Sequence, residues 1–108
     1  MPFAPAPGPA VAGPFSNLDA LRAQAAKNLP TDEKPLTDLR HRQAFCLSLA
    51  LDHLNPDGTV RFGSRLFSRL CQAVEARGDE VNGEWVEAYR LTWRYLLSQT
   101  LSPPQTNA

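Results

Sequence analysis

The stretch Ala44–Leu51, AFCLSLAL, has one polar member, Ser48. A helix that is apolar around most of its circumference has to be enclosed on most sides. In a chain of 108 residues this segment must therefore be the middle of the fold, with the other helices arranged around it. The spacing predicts a helix over about 38–54, capped by Thr37 and stopped by Pro56 and Gly58.

Three further helices follow from the same periodicity. The first is expected over 17–28, with Ser16 as cap and Asp19 three residues on. Leu18, Leu21 and Ala25 share its apolar face, Arg22 lies at the edge, and Pro30 ends it. A polar linker, PTDEKP, leads to the central helix. Another helix is expected over 65–77, capped by Ser64 and closed by Gly78. Its stripe is Leu66, Phe67, Leu70, Cys71 and Val74; Arg65, Ser68, Arg69 and Gln72 occupy the opposite face. The last helix, 83–101 with Asn82 as cap, carries Trp85, Tyr89, Trp93 and Leu96 in one row, widened by Val86 and Leu97. The only β-like piece, Thr59–Phe62, is too short to make a sheet alone.

The expected fold class is all-α, a small bundle of three or four helices, with the last two helices forming a hairpin across GDEVNG. Pro2, Pro5, Pro7, Pro9 and Pro14 remove backbone donors and fix φ. Residues 1–15 are therefore expected to be a disordered Pro/Ala-rich arm, 16–101 the helical domain, and 102–108, with Pro103 and Pro104, a short disordered tail.

Lys and Arg balance Asp and Glu at eleven each. Zero net charge argues against a strongly basic nucleic-acid binder and leaves room for a local patch. No apolar run approaches a membrane span, and the prolines break any leader-like stretch. Cys46 and Cys71 lie among apolar residues and do not suggest a disulfide framework, so the cytoplasm is the expected compartment.

Between the second and third helices lies HLNPDGTVRFGS, His53–Ser64. Counting His53 as position 1 puts Asn55 at 3, Asp57 at 5, Gly58 at 6 and Val60 at 8. Phe45 and Leu49 lie eight and four residues ahead. This spacing resembles the EF-hand calcium loop, in which oxygen ligands converge and the glycine makes the turn. Such a resemblance implies Asn55, Asp57 and Thr59 as cation ligands. It departs from that pattern at position 1 (His53), position 9 (Arg61), position 12 (Ser64, where a bidentate Glu belongs) and position 13 (Arg65). As turn chemistry, Asn55–Gly58 is complete without an ion, and Val60 is then a plug beneath the corner.

Two surfaces are candidates for binding. Trp85, Tyr89 and Trp93 form either part of the core or a partner surface, which a homodimer could cover. Arg61, Arg65 and Arg69 recur every four residues and, with Ser68 and Gln72, carry the donors that reach phosphates and base edges. The segment Asn55–Gly63 is longer than the turn of a helix-turn-helix motif. His41 and His53 have no zinc-ligand spacing, and Ser64 is better placed as a cap than as a nucleophile. No cofactor and no catalytic activity are expected. The sequence favours a small non-catalytic protein–protein interaction module: an adaptor, inhibitor or regulatory subunit that binds a partner or itself. The alternatives are a nucleic-acid binder using the Arg61/Arg65/Arg69 face and a degenerate EF-hand-like calcium binder.

Overall fold

The computed structural model describes residues 11–30 and 36–100. In chain order its elements are β1 (Val11–Ala12), α1 (Leu18–Asn28), α2 (Leu39–Leu51), β2 (Val60–Arg61), α3 (Ser64–Ala76) and α4 (Gly83–Ser98). The all-α expectation holds: four helices carry the fold, joined by one two-stranded sheet.

The apolar central stretch decides the arrangement. Along α2 only Leu39 and Arg40 are exposed, and Arg42, Ala44, Cys46, Leu47, Ala50 and Leu51 are buried. α1, α3 and α4 all pack against it. One core cluster gathers Leu21 and Ala25 of α1, Leu47, Ala50 and Leu51 of α2, Leu66, Leu96, and Val60 and Phe62 from the loop. A second gathers Leu36, Cys46, Leu70, Val74, Trp85 and Ala88. Leu49 and Tyr89 pack against both, so the two clusters form one continuous interior.

Helix ends lie within a few residues of the sequence expectation, and the caps are corrected. Asn17 rather than Ser16 caps α1, accepting from Ala20 N. Asp38 rather than Thr37 caps α2, accepting from Arg40 N. Asn and Asp are at least as good caps as Ser and Thr, and each stands one residue nearer its helix. Asn82 caps α4 as expected, accepting from Glu84 N and Trp85 N. α3 differs: Gly63 is its cap, with no side-chain acceptor, and Ser64 is its first helical residue.

The arm assignment is corrected in part. Residues 1–10 and the tail 102–108 lie outside the described residues, but Val11–Phe15 belong to the fold. Val11 pairs with Arg61 and Ala12 with Val60, antiparallel. Ala12 and Val60 are both 1% exposed, so Val60 does plug the corner, with Ala12 beside it. Phe15 bridges Thr100, and Gly13 N–H donates to Thr100 Oγ1 at 2.9 Å. The physical reason is local. Val11 and Ala12 lie between prolines and retain the donors needed to pair with the otherwise unpartnered β2.

Gly13 has φ +106°, and a β-carbon there would lie 2.8 Å from Gly58 O and 3.0 Å from Thr59 Cα. Gly13→Ala is therefore expected to lower stability by about 1–3 kcal/mol in urea unfolding. An unchanged midpoint would mean that β1 does not dock on the loop.

Candidate functional site

The loop is a closed corner. Gly58 N–H donates to Asn55 O at 2.9 Å, and Asn55 N–H to Thr59 O at 2.7 Å. Gly58 has the positive φ (+84°) that the turn requires. Asn55, Asp57 and Thr59 are brought together, but they bond to one another. Thr59 Oγ1 and N–H both donate to Asp57 Oδ1, at 2.6 and 3.1 Å, and Asn55 Nδ2 donates to Thr59 Oγ1 at 3.0 Å. These two donors, the hydroxyl first, hold the exposed Asp57 carboxyl below its usual range. Among the described residues no group of three or more His, Cys, Asp or Glu side chains is placed to hold a metal ion.

The aromatic row faces inward. Trp85 is 1% exposed, which corrects its reading as a partner surface. Phe45 meets it edge-on at 5.4 Å, its Nε1 donates to Asp79 Oδ2 at 3.1 Å, and the Arg42 guanidinium lies over the ring at 5.7 Å. Tyr89 and Trp93 are half-buried against the core. Tyr89 meets Phe62 and Phe67 edge-on and donates from Oη to Gly63 O at 3.3 Å; Trp93 stacks on Phe62. Phe62 and Phe67, flanking the start of α3, thus half-cover the Tyr89–Trp93 end of the row, while Trp85 is enclosed.

Sequence reasoning missed Arg42. Its side chain is buried, donates to Leu36 O at 2.9 Å and pairs with Glu84 at 2.7 Å. A guanidinium in an apolar helix reads as a surface group, and only the tertiary partners show otherwise. Also missed was a groove of about 200 Å³ between α1, α2 and α4, lined by Gln24, Asn28, Arg40, Gln43 and Tyr95 over Ala44, Leu47 and Thr92. It contains no nucleophilic thiol, histidine or carboxylate, and the Tyr95 hydroxyl is bonded to Gln24 Oε1 at 2.8 Å. Cys46 is buried, which pushes its thiol up to about 12.

The α3 face is open. Arg61, Arg65, Ser68, Arg69 and Gln72 are all exposed. The ion pairs among the described residues, Arg42–Glu84 and Arg90–Glu87, leave out all three arginines. Arg61 leans over the start of α3, its Nε 3.9 Å from where a Gly63 β-carbon would lie. No family model, curated protein or solved structure matches the chain. The site therefore has to be read from its own chemistry.

Trp85→Ala separates core from surface. It is expected to cost about 3–5 kcal/mol by denaturant unfolding, as for large-to-small changes in a packed interior. A loss below about 1 kcal/mol would return the row to the surface.

Proposed function

We propose that this chain is a small binding module without catalytic chemistry, and that it engages a negatively charged partner through the solvent face of α3. The observation that carries this reading is the placing of three exposed arginines on β2 and α3. Glu84 pairs with Arg42 and Glu87 with Arg90, and the acid carried by β2 and α3 is Glu75, near the end of α3 away from Arg61. Arg61, Arg65 and Arg69 stand exposed outside these pairs. Zero net charge for the whole chain thus coexists with a locally positive face, which attracts an external anion within about a Debye length of the surface.

An adaptor or regulatory role fits this arrangement better than self-association through the aromatic row, because Trp85 is enclosed and Tyr89 and Trp93 are half-buried against the core. The large apolar side chains left exposed, Val11, Leu39 and Leu97, sit on three separate elements. Among the described residues no helix is long and apolar enough to cross a membrane. The unpaired Cys46 and Cys71 favour a reducing compartment such as the cytoplasm.

Retention on immobilised heparin, a sulfated polyanion, tests the reading. The chain should bind at low ionic strength, and Arg65→Ala with Arg69→Ala should elute it at markedly lower salt with an unchanged circular dichroism spectrum. Passage without retention at low ionic strength contradicts the reading.

A further inference from the structure

We infer that the partner of the α3 face is the phosphate backbone of a nucleic-acid duplex, bound with little sequence preference; this rests on the reading of that face as an anion-binding surface. The face offers three guanidiniums, the Ser68 hydroxyl and the Gln72 amide, all of them exposed donors. Protein interfaces take most of their energy from apolar and aromatic anchors in desolvated pockets. None of the exposed large apolar side chains belongs to α3. The aromatic residues nearest this face are turned into the interior, with Phe62 7% exposed and packed on Tyr89 and Trp93. An acidic protein would find charge there and no anchor, whereas duplex interfaces are polar and strongly positive.

The same inward packing argues against single strands. Proteins that hold unpaired bases stack them on exposed aromatic rings, and α3 presents none. What remains is a row of cations. Arg65 and Arg69 lie four residues apart, about 6 Å along the axis, and Arg61 extends the row beyond the helix start. Exposed Glu75 bounds it at the other end. α3 packs inward through Leu66, Leu70 and Val74, which leaves a helix of about 10–12 Å diameter on the outside of the bundle, a width that a major groove of about 12 Å admits. Its first turn has no side-chain cap, so N–H groups and the positive end of the helix dipole add to the attraction for a phosphate beside Arg61.

Three phosphate contacts set the expected behaviour. The slope of log K against log salt should be about −2.7, a loss of roughly 40-fold between about 50 and 200 mM. Fluorescence anisotropy of the full chain with a labelled mixed-sequence DNA duplex measures this, with oligo-dT of equal length and polyglutamate as parallel probes. The duplex should bind more tightly than oligo-dT. Arg65→Ala with Arg69→Ala should weaken duplex binding at least about tenfold at low salt and reduce the slope by about two. Arg40→Ala, on the groove between α1, α2 and α4, should change it less than about twofold. Tighter binding to oligo-dT, or an equal loss on Arg40→Ala, overturns the duplex inference. Arginine-dependent binding of polyglutamate without binding of the duplex overturns it as well and leaves the anion-binding reading standing. Binding to none of the probes at low salt removes both.

Discussion

Burial of the Trp85 ring is the constraint on which the rest of the molecule depends. Its indole N–H reaches back to Asp79 in the connection between α3 and α4, its face carries the Arg42 guanidinium, and its edge meets Phe45. Arg42 in turn holds Leu36 O ahead of α2 and Glu84 in the first turn of α4. One ring therefore joins α2, α4, the turn between the last two helices and the segment entering α2. A tryptophan buries roughly 150–250 Å² of side chain, worth about 4–6 kcal/mol, a large share of the stability of a chain this short.

That burial also determines what is left for binding. With Trp85 enclosed and Tyr89 and Trp93 packed on Phe62, α4 gives its aromatic face to the interior. The outer face of α3 then carries Arg65, Ser68, Arg69 and Gln72, all of them exposed. The same packing engages two carboxylates: Asp79 accepts from the tryptophan, and Glu84 pairs with the arginine over its ring.

Much of this was legible in the sequence, for identifiable reasons. Prolines, glycines and apolar periodicity are local signals, and they placed all four helices, although three of the expected caps were one residue off. The apolar circumference of Ala44–Leu51 placed α2 in the middle, and the spacing of Arg65 and Arg69 put both on the exposed side of α3, whereas Arg61 lies on β2, ahead of the helix. The pairing of Val11–Ala12 with Val60–Arg61 was not legible, because two short segments about fifty residues apart carry no pattern of their own. The burial of Arg42 was hidden by its charge. The aromatic row was ambiguous because periodicity defines a face without saying what covers it, and the cover, Phe62 and Phe67, comes from another part of the chain.

The loop shows how turn chemistry can imitate a ligand set. Asn55, Asp57 and Thr59 converge, as calcium-loop spacing implies, and are bonded to one another through Asn55 Nδ2, Thr59 Oγ1 and Asp57 Oδ1, so the corner closes on hydrogen bonds and on Val60 beneath it. Its product is position: it delivers Arg61 beside the start of α3 and seats Phe62 over the aromatic row. The central claim is that binding resides on α3 and not on the aromatic row or in the groove. Backbone amide shifts of the labelled chain, followed by NMR during titration with a short DNA duplex at low salt, test it most directly. The account predicts that the perturbed amides form one contiguous set from Arg61 to Gln72; a set centred on Arg40 and Gln43, or on the outer surface of α4, would contradict it.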